Sequence, residues 1–172
     1  MKLTDLPQQP ETPYYTAYLR HVGEDTLLES LEISLHEFIH FVREIPLGKH
    51  DYRYAEGKWT IKDIIQHLID AERIFSYRAL RIARGDKTPL PGFDEDFYVD
   101  QAKADRRSLQ SLLEELSLVR HSTMQLFKSF DSDMAQRTGF ASGREIQCAA
   151  IGFVIVGHMI HHRRVFAERY MD

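Results

Sequence analysis

The chain has 172 residues, 43% of them apolar and 11% aromatic, which is enough to bury one core without disulfides. Its net charge is −4, and its basic residues are scattered or paired instead of forming a stripe with interleaved aromatic residues. This pattern argues against a nucleic-acid partner.

Cysteine usage and the apolar runs indicate where the protein works. Cys148 is the only cysteine, so no internal disulfide can form and a reducing compartment is indicated. The N-terminal MKLTDLPQQPETPYY has no apolar core of the kind a signal peptide needs. The longest apolar run, 148–157, is about half of the ~20 residues that span a bilayer. We therefore expect a cytoplasmic protein with no membrane insertion and one domain over residues 1–172.

Apolar residues spaced by three and four recur in four long segments and predict an all-α chain. The first helix is predicted over about 25–45, and Thr26 with Glu29 forms a capping box at its start. The second is predicted to begin after Thr60, with Asp63 in its first turn, and to run as far as residue 85.

The second half of the chain holds a long connection and two more helices. Residues 86–105 contain two prolines and one glycine, which predicts a crossover without helical period. The third helix is predicted over about 106–130. The fourth is predicted from Ser142, in a capping box with Glu145, to about Tyr170. This order predicts a four-helix bundle with a long crossover between helices 2 and 3.

Three histidines cluster in the stretch GHMIHHRR of the predicted fourth helix. His158 and His162 are four residues apart, so their side chains lie one turn apart on the same apolar face and can bind one metal ion. His161 lies about 60° to one side, and it is the weaker but open alternative to His162.

Two imidazoles do not complete a catalytic metal site, which commonly has three protein ligands and an open position. His67 is the natural third candidate, because it lies at the edge of the apolar face of the second helix. Isolated histidines in such places are more often satisfied by hydrogen bonds alone, so that alternative stays open. His36 and His40 have the same four-residue spacing, but we predict that both face solvent.

Two other residues have side chains that could take part in chemistry. Cys148 could act as a nucleophile, but its apolar surroundings favour a buried and inert thiol. Glu72 is predicted close to the apolar stripe, where we expect it to pair with an arginine or a backbone donor. A supporting contact to His67 is the alternative for Glu72.

The segments GKWTIKDIIQHLIDAERIFSYRALRIARGD, LPGFDEDFYV and GHMIHHRRVF together resemble the DinB/YfiT-like superfamily of metalloenzymes, in particular its DinB-2 branch. The resemblance covers most of the chain. It rests most specifically on a histidine eight residues after Trp59 and on the distant His-x-x-x-His. It implies a four-helix bundle in which His67, His158 and His162 bind a divalent metal, Zn²⁺ or Ni²⁺.

The resemblance also implies a class of reaction. Characterised members of the family include S-transferases and isomerases that use bacillithiol, mycothiol or glutathione. We therefore expect a metal-dependent transferase that acts on a low-molecular-weight thiol and an electrophilic small molecule. The alternatives are a metal-dependent hydrolase and a non-catalytic, stress-related bundle or dimerisation module whose metal is structural or absent. A homodimer is an open expectation in each case.

Overall fold

The computed structural model describes residues 1–6 and 13–171, which contain seven α-helices, three single-turn 3-10 helices and one hairpin. In chain order the α-helices and strands are α1 (Pro13–Leu19), α2 (Leu27–Glu44), α3 (Ile61–Ala83), α4 (Glu95–Ala102), α5 (Leu109–Lys128), α6 (Ser132–Gln136), β1 (Thr138–Ala141), β2 (Arg144–Gln147) and α7 (Cys148–Arg169). The long helices α2, α3, α5 and α7 form the four-helix bundle that the sequence predicts.

Polar side chains stabilise the starts of α2 and α3 as predicted. The amide of Thr26 donates to the Glu29 carboxylate at 3.0 Å. At α3 the Thr60 hydroxyl accepts from the Asp63 amide at 3.1 Å, and the Thr60 amide donates to the Asp63 carboxylate at 2.9 Å. These bonds satisfy backbone donors that have no partner within the helix, so they determine where each helix begins.

The helix α7 occupies the middle of the bundle. It packs against α1, α2 and α3, while α5 closes the other side against α2 and α3. Every residue from Cys148 to Met159 is buried. A helix that is apolar all round is stable only when neighbours cover it on every side, and this arrangement places α7 beside both α2 and α3.

The predicted start of the fourth helix at Ser142 is wrong, because residues 138–147 form an antiparallel hairpin and α7 begins at Cys148. Ser142 has a φ of 53° and Gly143 a φ of 74°, so the two form the left-handed turn that joins short strands. The Ser142 hydroxyl accepts from Arg78 at 3.0 Å instead of capping a helix, and Glu145 lies in β2.

The crossover between α3 and α5 is more ordered than the sequence predicts. It contains the two-turn helix α4, whose start is capped by the Asp94 carboxylate accepting from the Phe97 amide at 3.0 Å. Before α4, Leu90 is buried and its amide donates to the Phe140 carbonyl of the hairpin at 2.9 Å. The hairpin thus fixes one end of the crossover, and α4 lies against α3.

Within the described residues, none of the helices combines the length and the apolar character that a membrane span requires.

Candidate metal centre

The three predicted ligand histidines meet inside the bundle, where α3 packs against α7. Nε2 of His158 lies 3.0 Å from Nε2 of His67 and 3.0 Å from Nε2 of His162. One ligand atom from each ring lies within 4.8 Å of those of the other two. The structure therefore brings together His67, His158 and His162, which come from two helices.

Burial keeps all three rings uncharged. His67 is 5% exposed and His158 6%. Removal from water lowers the pKa of His67 to about 4, and it lowers the pKa of both His158 and His162 well below the usual value. For His158 and His162 the neighbouring imidazoles act in the same direction. At neutral pH each ring is a neutral imidazole with one free lone pair, which is the form that binds metals.

The donor set fits a divalent cation better than it fits a hydrogen-bonded cluster. Nε2 of His158 has at most one lone pair or one proton, yet two other Nε2 atoms lie at hydrogen-bond distance from it. Two nitrogens bound to one tetrahedral Zn²⁺ are about 3.3 Å apart, close to the spacing observed here. A cation between the rings would give every lone pair a partner.

Aromatic side chains surround the cluster. The indole of Trp59 covers His67 with ring centroids 4.8 Å apart, and its Nε1 donates to the Asp96 carboxylate of α4 at 3.1 Å. Tyr18, in α1, packs edge-on against His158 at 5.1 Å. The crossover and α1 thus cover two sides of the histidines.

One outer contact is missing. Histidines that bind metals usually donate their other ring nitrogen to a carboxylate or carbonyl. Nδ1 of His162 is buried and has no hydrogen-bond partner among the described residues.

A cleft of about 350 Å³ adjoins the cluster at His162. His162 lines this cleft, and so do Trp59 and Asp96. A volume of this size admits a small molecule. The histidine cluster is therefore next to an accessible space and is not sealed by the crossover.

His161 lies beside the cluster and is not one of its three members. It lines the cleft, and its ring stacks on His21 with centroids 6.3 Å apart. Burial, followed by the positive charge of Arg20, lowers the pKa of His161. His36 and His40 are exposed on α2, as predicted.

The two other candidates have structural environments. Cys148 is fully buried, and burial raises the pKa of its thiol to about 12, so the thiolate that a nucleophile requires does not form at neutral pH. Glu72 has the arginine partner expected for it: Arg120 binds both of its carboxylate oxygens, at 2.8 and 2.9 Å.

Sequence reasoning missed several residues that surround the site. Trp59 was predicted as part of the family motif but not as a cover for His67, and Tyr18 and Arg120 had no predicted role. Asp96 also had no predicted role at this site. Tyr18, Arg120 and Asp96 each contact a residue that is distant in sequence, so no local pattern indicates those contacts.

The fold and the site together define a helical bundle with a three-histidine cluster beside a cleft. The model of the DinB superfamily matches residues 30–166, and the chain therefore belongs to this superfamily. The matched range contains all three histidines.

Among solved structures, the chain is similar to YfiT from Bacillus subtilis, described as a probable metal-dependent hydrolase with an unusual four-helix bundle topology. The two have 16% sequence identity and a TM-score of 0.75, and the alignment covers 97% of this chain and 93% of YfiT. This similarity shows a shared fold. No curated protein matches the chain.

Proposed function

We propose that this protein is a metal-dependent enzyme in which His67, His158 and His162 bind one divalent ion, Zn²⁺ or Ni²⁺. One observation carries the proposal: two Nε2 atoms lie 3.0 Å from Nε2 of His158, in a group of imidazoles of which His67 and His158 are buried and His162 is partly buried. Such a group lacks the protons and lone pairs to satisfy itself, and a cation supplies the missing partner.

The proposed reaction is transfer of a low-molecular-weight thiol to an electrophilic small molecule. A bound divalent ion would lower the pKa of a thiol or water that reaches it. The thiol loses its proton to solvent through the cleft, its sulfur forms a bond to the electrophilic carbon, and the leaving group departs with its electron pair. The proposed location is the cytoplasm, because a chain with a single cysteine forms no internal disulfide and suits a reducing compartment.

The chain's own residues would orient the reactants and control water. Three histidines would leave a metal ion open to one further ligand, and the cleft lined by His162 would provide the route for a small molecule. Trp59 shields His67 from solvent, and its bond to Asp96 anchors α4 over this ring. Apolar cover of this kind strengthens electrostatic interactions inside the site.

Hydrolysis is the second candidate, and the description of YfiT as a probable metal-dependent hydrolase favours it. A hydrolase commonly has a general base within hydrogen-bond reach of the attacking water. The cluster of described residues contains no carboxylate, and the Asp96 carboxylate in the cleft lining has one oxygen bound to Trp59. A thiol, which is more acidic than water, depends less on such a base, so we rank thiol transfer first.

A third candidate is a bundle without catalysis, whose metal is structural. Structural zinc sites usually have four protein ligands and no open position. The three-histidine cluster and its cleft favour an enzyme over this candidate.

Metal binding can be tested with the native fluorescence of the protein, because Trp59 is the only tryptophan and lies against His67. Protein stripped with EDTA is titrated with Ni²⁺, which quenches a nearby indole, and bound metal is counted by mass spectrometry. We expect one ion per chain and strong quenching. The His67→Ala variant should lose both. A control that removes the exposed pair, His36→Ala with His40→Ala, should behave like the parent.

Activity is then measured on the zinc-loaded and nickel-loaded protein with several thiols and one general electrophile, and separately with ester and amide substrates. Thiol transfer that is absent from His67→Ala supports the leading candidate, and hydrolysis alone supports the second. Stoichiometric metal in His67→Ala would contradict the ligand assignment. Metal binding without either activity would favour the structural candidate.

A further inference from the structure

A group of basic side chains lies at the end of α1, on the side of α7 that carries His161. Nη1 of Arg164 lies 2.8 Å from Nδ1 of His21, and Nε of Arg20 lies 3.4 Å from Nε2 of the same ring. His161 stacks on His21. Two guanidinium groups and two imidazoles thus share one small surface, here named the basic cluster.

The donors in the basic cluster outnumber their acceptors. A neutral imidazole accepts at one nitrogen only, so His21 can accept from Arg20 or Arg164 but not from both. Within residues 1–6 and 13–171, neither arginine forms an ion pair with a carboxylate. The adjacent Arg163 differs, because it binds Glu37 at 2.6 Å. Arg20 and Arg164 therefore have guanidinium N–H groups that can donate hydrogen bonds to an anion.

His161 connects the basic cluster to the cleft at the histidine site. Its ring belongs to the cluster through His21 and also lines the cleft together with His162. Tyr18 packs edge-on against His161 at 5.8 Å and against His158 at 5.1 Å, so one aromatic ring contacts both the cluster and the metal centre. An anionic group bound by the cluster would lie at the mouth of the cleft.

We propose that the basic cluster binds the carboxylate or phosphate group of an anionic small molecule whose remaining part extends into the cleft. Guanidinium groups suit this role because they donate two parallel hydrogen bonds to planar carboxylate or phosphate oxygens. The cleft volume of about 350 Å³ is that of a small-molecule site and not of a protein interface. Anion binding itself does not depend on the proposed function. Only the further step, which takes this anionic molecule as the substrate, rests on the proposed function.

Anion binding is measured on the metal-free protein, so that it does not depend on catalysis. Inorganic phosphate and succinate are titrated in low-salt buffer while backbone amide resonances and histidine side-chain resonances are followed by NMR. We expect saturable shifts at the α1 end and at His161. The Arg20→Gln with Arg164→Gln variant should weaken binding by about tenfold or more. The matched control is Arg43→Gln with Arg169→Gln, which removes two exposed arginines and the same charge, and it should change binding by less than about twofold.

The two probes distinguish the sources of the anionic group. Tighter binding of succinate indicates a carboxylate ligand, and tighter binding of phosphate indicates a phosphate ligand. The inference is wrong if neither probe binds the parent, or if both arginine variants weaken binding equally. The His67→Ala variant separates the two proposals. Anion binding should persist in His67→Ala even though metal binding is lost. A parent protein that binds metal but no anion would overturn this inference and leave the proposed function intact.

Discussion

Nε2 of His158 lies 3.0 Å from Nε2 of His67, although ninety-one residues separate the two in sequence. Burial disfavours the charged form of His67, and protonation of both rings would also make two N–H donors face each other across this distance. Folding therefore disfavours protonation of these two histidines, which the unfolded chain protonates without this penalty. Because the pKa of His67 falls from 6.5 to about 4 on folding, the unfolded state binds more protons below pH 6.5.

The metal-free protein should consequently lose stability as the pH falls from about 6.5 towards about 4. Each unit of pKa shift corresponds to about 1.4 kcal/mol, so His67 alone should account for about 3 kcal/mol at the acid end of this range. Urea denaturation of EDTA-treated protein at several pH values measures the effect. The His67→Ala variant should show a slope that is smaller by about one proton. Equal slopes in parent and variant would show that His67 titrates normally in the folded protein.

Arg120 and Glu72 form a buried ion pair near the histidine cluster, with side chains that are 0% and 3% exposed. The Arg120 guanidinium also donates to the Leu31 carbonyl at 2.7 Å and to the Ser34 hydroxyl at 2.9 Å. These contacts join α5 to α3 and α2 inside the core. Loss of either group would leave the other charge buried without a partner and without water to solvate it, which is energetically costly.

Glu72→Gln should therefore destabilise the protein by about 3–5 kcal/mol, since it leaves the Arg120 charge uncompensated. Glu72→Leu combined with Arg120→Met removes both charges and should cost less than Glu72→Gln alone. The comparison is made by urea denaturation at pH 7.5. Arg73→Gln is the surface control: Arg73 pairs with Glu115 but is half exposed, so its loss should cost no more than about 1 kcal/mol. A cost for Glu72→Gln as small as that of the control would contradict this explanation.

The helices of the bundle were predictable because their signals are local. The capping pairs Thr26 with Glu29 and Thr60 with Asp63 lie three residues apart, and the structure contains both. The hairpin at 138–147 was missed because four-residue strands are too short to show a period, and because Ser142 and Glu145 also have the spacing of a capping box.

The candidate site was likewise predictable only where its signals are local. Helical geometry alone indicates that His158 and His162 share a face. The third member, His67, was a candidate from its place at the edge of an apolar face, and the family resemblance then favoured it. Periodicity alone could not select it, because the approach of α3 to α7 is a tertiary contact. The basic cluster had no sequence signal at all. Arg20 and His21 follow the short helix α1, which was not predicted. His21 contacts Arg164, which is 143 residues away in sequence.

Gly157 determines how closely α1 approaches α7 beside the histidine cluster. A Cβ at this position would lie 2.2 Å from the Tyr18 carbonyl oxygen and 2.6 Å from its carbon, and both are backbone atoms. Because backbone cannot move aside like the end of a side chain, Gly157→Ala should push α1 away from α7. Tyr18 would then lose its contact with His158, and the site would lose cover on that side.

The balance of free energies favours a net loss of stability. Alanine gains about 1 kcal/mol over glycine in a helix interior, whereas overpacking a core typically costs about 1–3 kcal/mol. A methyl group 2.2 Å from a carbonyl oxygen belongs at the upper end of that range. We expect Gly157→Ala to be destabilised by about 2 kcal/mol in urea denaturation and to be cleaved faster by protease within residues 13–26. Gly48→Ala is the control, since a Cβ there meets nothing within 4 Å, and its stability should stay within about 0.5 kcal/mol of the parent. If Gly157→Ala were more stable than the parent, helix propensity would outweigh the contact, and α1 would not be held closely against α7.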